Sequence, residues 1–239
     1  MSDMKKARKR IISGLVIILI LLAGFLIYAG IYYHADTTAL AALKPDDTVS
    51  VTSVSYGWFF DGPSADNALV FYPGAKVEET AYAPLLHELA RQGMDVCLVK
   101  MPFRFAFFGA NKADTVMKLY EYEHWYIGGH SLGGAIAADY AAGHSDQLTG
   151  LILLAAYPTK ELDDTLLEIS IYGSEDQVIN MEKVRAGRAF APSDSFEYEI
   201  KGGNHAQFGN YGTQKGDGTA DITSREQQQM TVDFIMQHD

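Results

Sequence analysis

A serine between glycines lies near the middle of this sequence, in a pattern that suits nucleophilic catalysis. Residues 129–133 read Gly-His-Ser-Leu-Gly, with an apolar stretch before them and an alanine-rich stretch after them. A serine on a tight turn from strand to helix exposes its hydroxyl above the sheet, and flanking β-carbons would collide with neighbouring elements. This context predicts that Ser131 is a nucleophile, and the alternative is an ordinary glycine-rich turn.

A serine hydroxyl is a weak nucleophile, so it needs a base, and the base needs an acid that orients it. Asp176 comes just past the predicted strand 167–172, and His205 comes just past the predicted strand 196–200. We therefore predict His205 as the base and Asp176 as the acid. Glu175 is the alternative acid, but the position of Asp176 in the turn and its shorter reach favour Asp176. His130 is expected to point off a different edge of the turn.

Acyl transfer also needs N–H donors for the negative charge that develops on the carbonyl oxygen. The backbone N–H of Leu132, directly after the nucleophile, is one predicted donor of this oxyanion hole. The other is Ala75, in the turn after the predicted strand 68–72, because Pro73 in that turn has no N–H. Lys76 is more simply explained as a surface charge.

These residues must be positioned by a fold in which short apolar runs alternate with amphipathic segments. From about Thr48 onwards this alternation is typical of an α/β protein with a mostly parallel sheet flanked by helices. One or two opening strands are predicted within 49–60, and the later strands at 68–72, 95–100, 125–128, 148–156, 167–172 and 196–200. Helices are predicted at 79–92, 114–122, 135–142, 181–190 and 224–237.

The order and spacing of these motifs resemble the α/β-hydrolase superfamily, specifically a small lidless branch near the dienelactone-hydrolase-like enzymes. The resemblance runs from Thr48 to the end and is carried by the motifs at 72–75, 128–134, 172–176 and 203–209. It implies an α/β-hydrolase fold, a triad of Ser131, Asp176 and His205, and a two-step hydrolysis through an acyl-enzyme without a cofactor.

The sequence departs from the larger lipases, because only about ten residues (159–168) are available where lids are commonly inserted. An open active site is therefore expected. Phe103 and Phe105, in the aromatic stretch 103–108, are candidates for the substrate pocket. The same stretch could instead face a membrane or pack under the fold.

The amino terminus predicts a membrane anchor. The 23 residues 11–33 carry no charge and would span roughly 35 Å as a helix, enough for a hydrocarbon core of about 30 Å. A basic tail at 1–10 precedes them and should stay in the cytoplasm, which places the rest outside. We predict a linker at 34–47 and the α/β-hydrolase domain at 48–239. A secretory signal cleaved near the Ala-Leu-Ala at 39–41 is the alternative.

Composition narrows the function further. The 239 residues carry a formal net charge of −11, which argues against nucleic acid as a partner. The one cysteine, Cys97, excludes an intramolecular disulfide, and no pair of histidines has the spacing of a metal site with a carboxylate, so no catalytic metal is predicted.

Together these features predict a serine hydrolase anchored in the cell membrane by one helix, with its catalytic domain on the extracellular side. The expected substrate is an ester, either a small molecule or a lipid-like acyl compound, and no obligate protein partner is inferred. A peptidase, amidase or acyltransferase with the same triad remains open. A non-catalytic interaction module on this scaffold is a further alternative, although binding alone would not require all three triad residues.

Overall fold

The computed structural model describes residues 2–63 and 66–239, with residues 2–10 described by their backbone alone. It divides into two compact units, one up to Tyr32 and one from Tyr33 to Asp239. The first unit contains helix α1 (Ser2–Gly30). Within α1, Ile11–Gly30 has a mean hydropathy of 2.9 and is long and apolar enough to cross a membrane. The side chains of the predicted basic tail lie outside the described residues.

The second unit is built on one eight-stranded sheet in the order β1-β2-β4-β3-β5-β6-β7-β8. Strand β2 pairs antiparallel with β1 and with β4, and all other neighbours are parallel. The predicted α/β fold with a mostly parallel sheet is therefore confirmed. The strands are β1 (Ser50–Val54), β2 (Gly57–Asp61), β3 (Asn67–Tyr72), β4 (Met94–Val99), β5 (His124–His130), β6 (Gly150–Leu154), β7 (Leu167–Gly173) and β8 (Asp194–Ile200).

Helices cover both faces of the sheet. Successive side chains of a strand point to opposite faces of the sheet. Leu69 and Phe71 pack into one core, beneath helices α3 (Ala83–Arg91) and α7 (Ser224–His238), while Val70 and Tyr72 pack into the other, beneath helix α5 (Leu132–Ala141). Full burial of a large apolar side chain stabilises the fold by about 1.5–3 kcal/mol. The helices are α2 (Thr37–Ala41), α3 (Ala83–Arg91), α4 (Lys112–Met117), α5 (Leu132–Ala141), α6 (Met181–Gly187) and α7 (Ser224–His238).

The helix predicted at 114–122 is wrong in its second half, because α4 ends at Met117. Tyr120 instead stacks on Phe59 of strand β2, with ring centroids 4.7 Å apart, and its hydroxyl lies 2.9 Å from that of Tyr56. The aromatic ring of Tyr120 therefore packs against the sheet. This tertiary contact, rather than the helical spacing of the sequence, determines where α4 ends.

The segment predicted as a linker, 34–47, lies within the second compact unit. Just before it, Tyr33 forms a parallel bridge with Val77. Asp36 caps helix α2 by accepting a hydrogen bond from the backbone N–H of Ala39, and Ala39 is fully buried. This part of the chain is thus packed against the domain from Tyr33 onwards.

Candidate active site

Ser131 lies at the junction of β5 and α5 in a strained backbone. Its φ of 55° and ψ of −123° lie in the left-handed region, which residues other than glycine rarely adopt. A β-carbon at Gly129 or Gly133 would overlap the carbonyl oxygen of Tyr72, so neither position accepts a larger residue. The strand, the turn and the close approach of strand β3 together hold the serine at the carboxyl edge of the sheet.

Asp176 and His205 meet at the same edge, just past the ends of β7 and β8. The Nδ1 of His205 donates to Oδ2 of Asp176 at 2.7 Å, and both side chains are buried. The other oxygen, Oδ1, accepts the backbone N–H groups of Val178 and Ile179, each at 2.8 Å. Glu175 instead accepts a hydrogen bond from the hydroxyl of Ser174, its neighbour in sequence. The acid that the structure brings to His205 is thus Asp176.

A cavity of about 250 Å³ lies beside the serine and the histidine. Ser131, Leu132 and His205 line it, together with apolar residues that include Ala156 and Val178. The Nε2 of His205 is buried and makes no hydrogen bond to any residue that the structure describes. Because its Nδ1 already donates to Asp176, this nitrogen is the one that could accept a proton from a group in the cavity.

The loop after strand β3 contains one backbone N–H that is left without an acceptor among the described residues. The N–H of Gly74 donates to the hydroxyl of Tyr82 at 3.1 Å, and that of Lys76 donates to the carbonyl of Arg104 at 2.9 Å. The N–H of Ala75 between them makes no hydrogen bond to a described residue. Leu132 begins α5, where the first N–H groups of a helix have no acceptor within it and favour negative charge.

His130 is nearer to His205 than the sequence indicated. Its ring centroid lies 4.5 Å from that of His205, and its Nδ1 is hydrogen-bonded to the hydroxyl of Tyr82 at 2.8 Å. Burial, and then the charge of a protonated His205, lower the pKa of His130 well below its ordinary value. His130 is therefore neutral near pH 7, and Tyr82 joins it to the loop that carries Ala75.

The glycine-rich segment 208–220 supplies a carboxylate that joins the loop of Asp176 to the loop of His205. Asp217 accepts the backbone N–H groups of Ala206 at 2.9 Å and of His205 at 3.3 Å. It also accepts the N–H of Gln177, next to Asp176 in sequence, at 3.4 Å. The sequence did not single out Asp217, which makes contact with backbone groups that lie 11 to 40 residues away.

Helix α7 supports the backbone next to His205. The side-chain amide of Gln227 accepts the N–H of Asn204 at 2.9 Å and donates to the carbonyl of the same residue at 2.8 Å. Gln227 is fully buried, so both of its polar atoms are satisfied within the fold. Thr223 and Glu226 form a capping box at the start of the helix. The backbone just before His205 is thereby fixed.

Twelve residues (155–166) connect β6 to β7, and they contain no helix or strand that could act as a lid.

Phe103 is half exposed, and Phe105 is buried. Neither is among the residues that line the cavity beside Ser131, so their assignment to the substrate pocket stays a prediction. Across the described residues, no three His, Cys, Asp or Glu side chains are grouped so that they could hold a metal ion.

A mostly parallel sheet with a strained serine after β5 and an acid and a histidine after β7 and β8 is the arrangement of an α/β hydrolase. Residues 68–229 match the sequence model of the alpha/beta hydrolase family, which is 162 of the 239 residues. The chain belongs to this family. No curated protein matches the chain in sequence.

Solved structures share the fold at low identity. A dienelactone-hydrolase-like protein of Klebsiella pneumoniae has a TM-score of 0.56 at 17% identity and covers 79% of this chain and 98% of its own. A monoacylglycerol lipase of Paleococcus ferrophilus has a TM-score of 0.58 at 15% identity, with coverages of 75% and 97%. A bacterial membrane phospholipase A has a TM-score of 0.57 at 12% identity and covers 97% of this chain and all of its own.

Proposed function

We propose that this hydrolase is a serine enzyme that cleaves a carboxylic ester through an acyl-enzyme. The observation that carries the proposal is the buried pair of Asp176 and His205 together with the cavity that His205 and Ser131 both line. Hydrolases with such a triad need no further group to activate the serine. The lipase and phospholipase neighbours support an ester as the substrate rather than a peptide or amide.

In the first half-reaction, the hydroxyl oxygen of Ser131 attacks the ester carbonyl while Nε2 of His205 takes the hydroxyl proton. Asp176 holds the Nδ1–H and stabilises the imidazolium that forms. The N–H groups of Leu132 and Ala75 donate to the oxyanion. His205 then gives its proton to the alcohol that leaves. A water molecule then attacks the acyl-serine while His205 takes its proton, and the proton returns to the oxygen of Ser131. The carboxylic acid is released, and the enzyme returns to its starting state.

We further propose that α1 anchors the enzyme in the cell membrane with the domain on the extracellular side. The apolar span Ile11–Gly30 and the basic residues before it support this orientation. The alignment with the membrane phospholipase A covers 97% of this chain and so must include most of α1. Cleavage as a signal at 39–41 would cut through α2, where Ala39 is fully buried, and this favours an anchor that is retained.

One labelling experiment tests both parts. A fluorophosphonate should label the wild-type chain, and Ser131→Ala should abolish labelling and reduce ester turnover by about 10⁴-fold or more. A charged, membrane-impermeant fluorophosphonate applied to intact cells should label the enzyme as completely as a permeant one. The matched control is Ser53→Ala on edge strand β1, which should label like the wild type.

Labelling that persists in Ser131→Ala would contradict the assignment of the nucleophile. Labelling by the permeant probe alone would place the domain inside the cell. A panel of esters and the corresponding amides of the same acyl groups then separates the two substrate classes, and faster turnover of the amides would favour the alternative of a peptidase or amidase.

A further inference from the structure

Three phenylalanines near the oxyanion loop form an exposed aromatic patch. Phe103, Phe107 and Phe108 are 48%, 48% and 47% exposed. Their rings are grouped, with centroids 4.4 Å apart for Phe107 and Phe108 and 5.6 Å apart for Phe103 and Phe108. Large apolar side chains that are exposed together on a surface mark a site of interaction with a protein, a ligand or a membrane.

The aromatic patch is hydrogen-bonded through its backbone to the loop that carries Ala75. The carbonyl of Arg104, in the middle of the aromatic stretch, accepts the N–H of Lys76 at 2.9 Å. Phe103, Arg104 and Lys76 have φ values of 53°, 60° and 59°, in the left-handed region. Non-glycine residues are held in this region when the surrounding structure determines the backbone, and such residues cluster at functional sites. The aromatic patch and the proposed oxyanion donor are therefore held close to each other in the fold.

The chain before the domain is bound to the same loop. The N–H of Tyr33 donates to the carbonyl of Lys76 at 2.8 Å, and the carbonyl of Tyr33 accepts the N–H of Glu78 at 2.9 Å. Helix α1 ends at Gly30, three residues earlier. Three residues span at most roughly 10 Å even when fully extended. A chain that leaves a membrane at the end of α1 must therefore bring the oxyanion loop close to the surface of that membrane.

We propose that the aromatic patch inserts into the interface of the bilayer that holds α1, and that the enzyme takes its ester from a membrane-resident acyl lipid. Aromatic side chains favour the boundary between headgroups and acyl chains. The cavity beside Ser131, at about 250 Å³, is smaller than the roughly 300–1,000 Å³ typical of ligand pockets. It can take only part of a long acyl chain, and the bilayer would keep the remainder out of water. The inference rests on the proposed function for the anchor and for the nucleophile.

The depth of the patch can be measured in the full-length chain reconstituted in phosphatidylcholine vesicles. Phe107→Cys gives one reactive thiol for an environment-sensitive dye, because the native Cys97 is buried. Leu119→Cys is the matched control, since Leu119 is 56% exposed and lies between α4 and the start of β5, at the opposite edge of the sheet. We expect dithionite to quench the dye at 107 at least about fivefold more slowly than the dye at 119.

The source of the substrate is tested with two esters, one embedded in the vesicle bilayer and one short and water-soluble. The double variant Phe107→Ser/Phe108→Ser should lower the ratio of the bilayer rate to the soluble rate at least about tenfold, because it weakens contact with the lipid surface. Leu119→Ser should leave this ratio at the wild-type value. The ratio does not depend on how much of each variant is correctly folded.

Equal quenching at 107 and 119 would overturn the insertion, and an unchanged ratio in the double variant would overturn the membrane as the source of the ester. Failure of the proposed function gives a different result, in which the wild-type chain hydrolyses neither ester and takes no fluorophosphonate. The dye measurement stands apart from activity, so the two failures are distinguishable.

Discussion

The two ends of strand β7 each present a buried carboxyl group, and their surroundings differ. Asp176, just past the carboxyl end, accepts hydrogen bonds at both oxygens, from two backbone N–H groups and from His205. Glu168, near the amino end, has one oxygen, Oε2, that is paired with no described residue. Burial, and then the charge of Glu197, raise the pKa of Glu168 to about 7.

The difference shows what a buried carboxylate requires in order to serve a reaction. Removing a charge from water costs several kcal/mol unless hydrogen bonds and an opposite charge replace the water. The loop after β7 supplies such donors to Asp176, which can then stabilise the imidazolium of His205. The start of the same strand supplies too few donors to Glu168, so this residue takes up a proton near neutral pH.

The largest effect is expected from Asp176→Asn. The amide oxygen can still accept the N–H groups of Val178 and Ile179, so the fold should persist, but His205 would be held in the wrong tautomer. We expect kcat for a soluble ester to fall by about 10⁴-fold, with little change in the urea midpoint of unfolding. Glu175→Gln is the matched control and should keep kcat near the wild-type value. A greater loss in Glu175→Gln would identify Glu175 as the acid.

A smaller loss is expected from Asp217→Ala, which removes the acceptor shared by the loops of Asp176 and His205. Because a displacement of about 1 Å can cost about 100-fold in rate, we expect kcat to fall by about 10- to 100-fold while KM changes little. Asp217→Asn keeps one acceptor oxygen and should lose less. The exposed Asp194 at the opposite edge of the sheet supplies the control Asp194→Ala. Wild-type kcat in Asp217→Ala would show that the two loops hold their positions without it.

The smallest effect on catalysis is expected from Glu168→Gln, which should change stability instead. The pKa of Glu168 is raised from 4.5 to about 7, so its contribution is complete below about pH 4.5 and is lost as the pH rises through about 7. The loss amounts to about 3 kcal/mol. Glu168→Gln should remove this pH dependence and be more stable than the wild type at pH 8.5, with kcat unchanged.

The fluorescence of Trp58 and Trp125 during urea unfolding at pH 4.5 and 8.5 measures this difference. Glu182→Gln on α6 is the control, because Glu182 is exposed and should give the wild-type result at both pH values. A free energy of unfolding that changes with pH by the same amount in the wild type and in Glu168→Gln would contradict the raised pKa.

The sequence could predict where three site residues lie, because each of them comes just past the end of a strand. These residues are Ser131, Asp176 and His205. The carboxyl ends of parallel strands meet at one edge of a sheet, so a residue just past each strand is close to the others however far apart they are in sequence. Apolar runs in the sequence predict the strands, and glycines and charged residues predict the turns that follow them. The α/β fold and most of its elements follow from the same two signals.

The residues that support the site could not be predicted in this way. Tyr82 reaches His130 across 48 positions, and Asp217 reaches Gln177 across 40. Such side-chain contacts leave no periodicity in the sequence, because one hydroxyl or carboxylate among many is selected by the folded backbone around it. The shortened α4 has a related cause, since Tyr120 packs on the sheet rather than along a helix.

The hydrogen bonds between Gln227 and Asn204 also make the support of the His205 loop one of the last parts of the domain to be completed during synthesis. Domains are synthesised from the amino terminus at about 5–20 residues per second, and α7 emerges after the elements that carry Ser131 and Asp176. A growing chain whose α1 has already been made thus holds its serine and its acid before the loop of His205 has its support. The proposed site therefore lacks this support until α7 has been made and has packed against the sheet.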